Sequence, residues 1–530
     1  MSIVAKSLSY IHPDGGVLFQ RINVSILTGE KAALVGNNGA GKSTFLQLIA
    51  GRILPAEGEI ICSGKPYYVP QHVGQFDDYS VAKALGIQEK RNALRAILDG
   101  DVSSQNFTVL NDDWEIEERV TTALAYWHLQ HLDLFQTMNS LSGGEKTKVF
   151  LAGIGIHSPS IILLDEPSNH LDSESRDLLY EFIIKSRETI LVVSHDRTLL
   201  NLLDKTLELS KSGIEVYGGN YAFYKDQKDG KLNALHNQLD EQAKTLKQAQ
   251  QKARDVAEQR QKKEVRGKAQ GQKQSLPRIV AGGLQRKAEQ STAKLKDVQT
   301  EKINGIADNV KQIRSQIQEN QALKLDLRKS DLHKGKLLID ARAINFSYSD
   351  QYLWQSPLTF QVRSGDRIRI AGNNGSGKTT LLKLMTGNLQ PSVGVLFRAD
   401  FHHAYIDQDY SIIDNQLSVI EQAQKFNTRP LLEHDLKMML HQHQFPRESW
   451  DRKCAGLSGG EKMKLVLCCL EIGNNTPDLL ILDEPTNNLD VLSQEILTTA
   501  VKSFNGSVLV ISHDQYFIDE ILVESTISLN

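Results

Sequence analysis

The chain of 530 residues holds only four cysteines, Cys62, Cys454, Cys468 and Cys469. Their positions give neither metal-ligand spacing nor a secreted disulfide framework. No run approaches the ~18 consecutive apolar residues of a membrane-spanning helix. The best runs, such as Ile161-Ile162-Leu163-Leu164, are strand-length. The start, Met-Ser-Ile-Val-Ala-Lys-Ser, lacks the charged lead and apolar core of a signal peptide. Net charge is small, −3, so bulk electrostatics names no partner. The histidine groupings His402-His403 and His441/His443 have no Cys, Asp or Glu cluster beside them. These absences exclude a membrane span and a zinc site, and predict a cytoplasmic protein in a reducing compartment.

What the chain has is a repeated phosphate loop. Gly36-Asn37-Asn38-Gly39-Ala40-Gly41-Lys42-Ser43 returns as Gly372-Asn373-Asn374-Gly375-Ser376-Gly377-Lys378-Thr379. Both fit G-x-x-x-x-G-K-[ST], with Thr44 and Thr380 continuing into the following helix. Glycines let the main chain turn tightly around phosphate, and the following helix points its positive end at the anion. Lys42 or Lys378 neutralises the β/γ-phosphates, while Ser43 or Thr379 offers a hydroxyl to Mg²⁺. About 0.02 such matches are expected by chance in a chain of this size. Two in equivalent contexts predict two ATP–Mg²⁺ sites.

The repeat extends further. Leu141-Ser142-Gly143-Gly144-Glu145, Leu164-Asp165-Glu166-Pro167 and Ser194-His195-Asp196 recur as Leu457-Ser458-Gly459-Gly460-Glu461, Leu482-Asp483-Glu484-Pro485 and Ser512-His513-Asp514. The offset between copies is 336 at the lysines, 316 at the serines and 318 at the aspartates and histidines. Copy one therefore carries about 20 extra residues before its serine, in the polar segment around Gln88 to Trp114. Continuous apolar runs at Ile161–Leu164, Ile190–Val193, Leu479–Leu482 and Val508–Ile511 suit parallel strands covered on both faces. Each copy is predicted to be an α/β domain with a largely parallel sheet.

The repeated residues also carry chemistry. Asp165 and Asp483, at strand ends, suit Mg²⁺ ligands, alongside Ser43 and Thr379. Glu166 and Glu484 can polarise an attacking water, and His195 and His513 can reach the γ-phosphate side. Ser142-Gly143-Gly144 and Ser458-Gly459-Gly460 open helices and are anion sites by the same N-terminal logic. One departure separates the copies: Ser168-Asn169-His170-Leu171-Asp172 against Thr486-Asn487-Asn488-Leu489-Asp490.

Between the copies, residues 231–330 carry 22 Lys/Arg against 11 Asp/Glu. Leu232, Leu235, Leu239, Ala243 and Leu246 recur at helical spacing, as do Ile303, Ile306, Val310, Ile313 and Ile317. Two amphipathic helices with narrow apolar seams predict an antiparallel coiled-coil hairpin. The first would run ~30 residues and about 45 Å, turning where Gly267, Gly271, Pro277, Gly282 and Gly283 interrupt the pattern. Arg260, Lys262, Lys263, Arg266, Lys268, Lys273, Arg278, Arg286 and Lys287 crowd toward that turn, opposed by Glu264 alone. With no aromatic there to stack on bases, phosphate contact with structured RNA or DNA is the expected mode. The predicted domains are 1–224, 225–335 and 336–530.

This ordered set resembles the ATP-binding cassette (ABC) ATPases over about residues 1–220 and 336–530. The resemblance implies that Gln71 and Gln408 contact Mg²⁺ and that Tyr10 and Tyr348 stack on adenine. It also implies that each nucleotide is closed over by the other cassette within one monomer. Site one then pairs Lys42, Gln71, Asp165, Glu166 and His195 with Ser458 and Gly460; site two pairs Lys378, Gln408, Asp483, Glu484 and His513 with Ser142 and Gly144. Tandem cassettes also occur in membrane-transporter ATPase subunits and DNA-associated ABC ATPases. Importer subunits lack a basic hairpin of this size, and the DNA enzymes carry zinc cysteine pairs or split a single cassette. Tyr217-Gly218-Gly219-Asn220-Tyr221-Ala222-Phe223-Tyr224, leading into the linker, is similar to the G-N-Y-x-x-Y motif of the ABC-F translation factors. That resemblance implies binding to the 70S ribosome in its E site, with the linker reaching P-site tRNA and the rRNA of the peptidyl-transferase centre. ATP-bound closure would permit binding and hydrolysis would drive release. The irregular tip Gly271–Val280 resembles members that confer antibiotic resistance by ribosome protection.

Overall fold

The computed structural model describes residues 2–273 except 14, 102, 211 and 212; residues 297–314 except 299; and residues 333–529 except 350, 374, 429, 430, 474–476 and 488. The chain divides into two compact units, Met1–Ala222 with Ala322–Asn530, and Phe223–Gln321.

In the first repeat the strands Tyr67–Val69, Ile161–Asp165, Thr189–Val193, Lys31–Val35 and Lys205–Ser210 lie side by side in that order, all parallel. Gly213–Tyr217 closes the edge in the antiparallel sense. The second repeat orders His403–Ile406, Leu479–Asp483, Ser507–Ile511, Arg367–Ala371 and Ser525–Ser528, all parallel. The central strands are mostly apolar because helices cover one face and a second sheet the other. Ile161–Asp165 and Thr189–Val193 are buried at every residue.

That second sheet is a finding beyond the parallel core expected from the sequence. Ile3–Ile11 pairs antiparallel with Val17–Ile26 on one side and Glu57–Cys62 on the other. Leu337–Asn345, Leu358–Arg363 and Val393–Arg398 repeat the arrangement. Its inner face packs on the phosphate-loop helix: Ile3, Leu8, Phe19 and Ile26 share one core with Phe45 and Leu46. In the second repeat Trp354 fills the equivalent place and its indole N–H donates to Ser376 O at 3.0 Å, anchoring the loop.

The extra residues of copy one form a helical pair, Gln88–Leu98 and Ser104–Leu110, which the second repeat lacks among its described residues. Within the first unit the two repeats touch: Arg197 Nη1 donates to Glu520 Oε2 at 3.0 Å.

In the second unit the first hairpin helix is longer than expected. It runs Tyr221–Lys273, 53 residues, or about 80 Å at 1.5 Å per residue. Gly267 and Gly271, placed at the turn by the sequence reading, lie inside it. A glycine costs a helix only about 1 kcal/mol, which a cooperative helix of this length absorbs. Leu232, Leu235, Leu239, Ala243 and Leu246 are its half-buried stripe. Residues 300–314 are helical, with Ile303 and Ile306 half-buried and Val310 and Ile313 buried. Pro277, Arg278, Gly282, Gly283, Arg286, Lys287 and Ile317 lie outside the described residues.

Candidate functional site

Each phosphate loop joins a buried strand to a helix through a glycine with left-handed backbone. Gly41 has φ 96° and Gly377 φ 90°. A Cβ at Gly41 would lie 2.6 Å from Leu18 Cδ2, and one at Gly377 2.5 Å from Leu353 Cδ2, so both conformation and space require glycine. The helices Lys42–Ile49 and Lys378–Thr386 begin at the loop lysines. Lys42 Nζ donates to Gly36 O (2.7 Å) and Asn37 O (3.3 Å); Lys378 Nζ donates to Gly372 O (2.8 Å) and Asn373 O (3.1 Å). Each lysine is folded back across its own loop, where a phosphate would sit. Burial lowers both ammonium pKa values. Asn374 lies outside the described residues.

At the ends of the adjacent strands stand the carboxylates. Ser43 Oγ donates to Asp165 Oδ1 at 3.1 Å, and Tyr68 OH donates to Asp165 Oδ2 at 2.9 Å. In the second repeat Tyr405 OH donates to Asp483 Oδ2 at 2.8 Å. These tyrosines were missed in the sequence reading. Their signal is the aromatic preceding Gln71 and Gln408 on a strand that pairs with the aspartate's own. The hydroxyl and carboxylate oxygens are hard donors that fit Mg²⁺. The protein would supply it with Ser43 and Asp165 in one site, and with Thr379 and Asp483 in the other.

Glu166 and Glu484 follow with left-handed backbones, φ 51° and 48°. Each is held there by its own N–H, which donates at 2.8 Å to Val193 O or Ile511 O on the neighbouring strand. Strain repeated at the same position of both copies is a mark of a functional turn. His195 N–H donates to Glu166 Oε2 at 3.2 Å, and its Nε2 lies 3.2 Å from Oε1; for His513 and Glu484 both distances are 3.4 Å. Oε1 of both glutamates is buried without an aligned hydrogen-bond partner, the kind of acceptor a bound water satisfies. Burial pushes the carboxyls up, Glu166 to about 8 and Glu484 to about 7. It pushes the imidazoles down, His195 to about 3 and His513 to about 4. Both histidines are therefore neutral at pH 7.

Ser142 and Ser458 are N-caps of Gly143–His157 and Gly459–Ile472. Each accepts from the backbone N–H of Glu145 or Glu461, whose carboxylate accepts in return from the serine N–H. These capping boxes give the glutamate of each Leu-Ser-Gly-Gly-Glu a role that the sequence reading left unassigned.

The two repeats meet at one large cavity, ≈ 560 Å³. Ser142, Gly143 and Gly144 line it from the first repeat; Lys378, Thr379, Thr380, Gln408, Asp483, Glu484 and His513 line it from the second. The whole set expected for site two is thus brought together. His170, Leu171 and Arg176, also of the first repeat, complete the wall; Arg176 had no place in the expected site. On the opposite side, the Asn38 N–H donates to Asp490 Oδ2 at 3.1 Å, joining the first phosphate loop to the second repeat. Gln71 follows the strand Tyr67–Val69, half-buried. The tyrosines differ. Tyr348 is 68% exposed on the cavity wall, its hydroxyl 2.9 Å from Thr380 Oγ1. Tyr10 is half-buried with its ring centroid 5.6 Å from His12 and 6.3 Å from Phe19, against the core.

Comparison with known proteins agrees with this geometry. The ABC transporter family model matches residues 19–169 and 356–487, more than half of the chain. ATP-binding protein Uup of Escherichia coli is 30% identical over 99% of this chain and 80% of its own length. Ribosome protection protein VmlR of Bacillus subtilis is 26% identical over 98% of this chain and 85% of its own. An archaeal ribosome recycling factor, solved with a ribosomal stalk protein, superposes with TM-score 0.60 at 18% identity, covering 98% of this chain and 87% of that one.

Proposed function

The chain belongs to the ABC-F family of tandem ATP-binding cassette proteins and is an ATPase, and from that premise we propose that it is a cytoplasmic ribosome-binding factor. Lys42 and Lys378, with their loops, hold the phosphates of two ATP molecules. Ser43, Gln71 and Asp165 serve Mg²⁺ in one site, and Thr379, Gln408 and Asp483 in the other. Glu166 and Glu484 polarise the attacking water, while His195 and His513 act at the γ-phosphate. Nucleotide clamped between the cassettes of a monomer favours the closed state, and hydrolysis lets the cassettes part. The cavity shared by Ser142–Gly144 and the Lys378 loop supports this reading.

The partner is read from the linker. Lys262, Lys263 and Arg266 are exposed on the 53-residue helix, in a segment with twice as many basic as acidic residues and no aromatic. Such a rod makes phosphate contacts with structured RNA. VmlR is named a ribosome protection protein, which supports a ribosomal partner. The E site, P-site tRNA and the peptidyl-transferase centre are the contacts that the resemblance to ABC-F translation factors implies. Protection against antibiotics is the further expectation for the tip; deleting 267–283 would then lower resistance in a sensitive host.

The test is sedimentation of the Glu166→Gln, Glu484→Gln double variant with 70S ribosomes. ATP-dependent pelleting, stronger than wild type and lost on deletion of the linker, is expected. Absence of binding with and without ATP would contradict the proposal and return the chain to transporter subunits or DNA-associated ATPases. Membrane fractionation and DNA-stimulated hydrolysis separate those two.

A further inference from the structure

The two composite sites are not chemical copies. At the 318-residue offset of the late motifs, Ser173 corresponds to Val491 and Arg176 to Gln494. Ser173 opens the helix Ser173–Lys185 of the first cassette, and its Oγ lies 2.9 Å from Nδ1 of His513 in the second. In a neutral imidazole the partner of one ring nitrogen fixes the tautomer and orientation of the other. The other nitrogen, Nε2, is the one 3.4 Å from Glu484 Oε1. At site one the equivalent side chain, Val491, has no polar atom, and His195 Nδ1 is buried without a hydrogen-bond partner.

Arg176 repeats the asymmetry. It is 8% exposed, donates from Nε to Leu171 O at 3.2 Å, and lines the cavity beside Lys378, Glu484 and His513. Its charge acts on Glu484 and His513 more strongly than that of Lys378. Gln494 is neutral, and its amide is spent on Thr486 O and Leu489 O at 3.3 and 3.4 Å.

We propose that Ser173 and Arg176, supplied in trans by the first cassette, are positioning residues for hydrolysis at the Lys378 site. The Lys42 site, facing Val491 and Gln494, is then the slower of the two. Ser173 can orient His513 only while the cassettes are apposed, so hydrolysis at this site reads closure directly. Arg176 places a fixed cation where phosphate charge gathers. The inference rests on the assignment of Glu484 and His513 to the hydrolytic centre.

The experiment is steady-state ATP hydrolysis by the full chain. Glu484→Gln should lower kcat more than Glu166→Gln. If neither lowers it, the assignment of the glutamates falls and this inference with it. If Glu166→Gln costs as much or more, this inference alone is overturned. Ser173→Val should lower kcat about tenfold or more with KM nearly unchanged, and Ser173→Thr, which restores the hydroxyl, should recover it. A wild-type kcat in Ser173→Val, or a loss that threonine does not rescue, overturns the role. Should Ser173→Val fail to fold, Val491→Ser in the Glu484→Gln chain should raise the residual rate; no gain is equally decisive against it.

Discussion

Asp490 uses its two carboxylate oxygens on two different cassettes. Oδ1 accepts from Ser493 N–H at 2.8 Å, capping its own helix Val491–Ser503, and Oδ2 accepts from the Asn38 N–H of the opposite phosphate loop at 3.1 Å. One side chain thus ties the start of a helix to the place where ATP is expected. Asp490→Asn keeps an N-cap oxygen and weakens the charge-assisted bond, so it should lower kcat with little change in stability. Asp490→Ala also loses the cap and should destabilise by about 1 kcal/mol. Equal stability losses in both variants, measured by urea denaturation, would show that the contact to Asn38 rather than the cap dominates.

The buried glutamates give a pH prediction for the nucleotide-free protein in EDTA. Their folded pKa values, about 8 for Glu166 and about 7 for Glu484, lie above the ordinary carboxylate value. Folding therefore favours the protonated form, and this stabilisation is full below pH ~4.5 and lost as pH rises through 7 to 8. Glutamine mimics the protonated acid. The Glu166→Gln, Glu484→Gln variant should exceed wild type in Tm by roughly 2 °C or more at pH 8.5, with the gap closing toward pH 5. The histidines, depressed to about 3 and 4, oppose this below pH ~6.5 in both proteins alike and so drop out of the difference. A gap that widens on acidification would contradict the assignment.

Tyr348 and Tyr10 should separate cleanly. Tyr348→Ala should weaken nucleotide binding at one site by about 1 kcal/mol, or roughly fivefold, the scale of one aromatic–base stack. Tyr348→Phe should leave it near wild type. Tyr10→Ala should mainly lower stability, since its ring packs beside Phe19. Titration with a fluorescent ATP analogue together with thermal melts distinguishes the two effects.

Gly230 lies in the long helix, exposed, with open space where a Cβ would go. Gly230→Ala should stabilise that helix by about 0.5–1 kcal/mol. Hydrogen exchange of amides near residue 230 in the full chain should slow correspondingly; faster exchange would mean that the segment is not helical there.

Much of the site was legible because its chemistry is local. The loops Gly36–Ser43 and Gly372–Thr379 are contiguous, and the late motifs keep a nearly constant offset, 316 to 318 residues. What escaped were contacts set by strand order and domain pairing. Tyr68 meets Asp165 because Tyr67–Val69 lies beside Ile161–Asp165; the aromatic before Gln71 is visible in the sequence, but its neighbour is set by strand order. Ser173 reaches His513 across a sequence separation of 340, and Arg176 lines the cavity of the second loop, pairings that only folding creates. The linker failed differently: Gly267 and Gly271 read as breakers, yet each is a small cost inside a helix already propagated for over 40 residues.

In the proposed mechanism each ATP is clamped by residues of both cassettes. Complementation tests it directly. Gly144→Asp blocks the loop that faces Lys378, so joined to Lys378→Ala it should cost ATP hydrolysis no more than Lys378→Ala alone, because both changes fall in one site. Joined to Lys42→Ala it should reduce hydrolysis to background, because both sites are then lost. The reverse pattern, with activity surviving in Gly144→Asp, Lys42→Ala and vanishing in Gly144→Asp, Lys378→Ala, would mean that each cassette works with its own loops and would contradict the account.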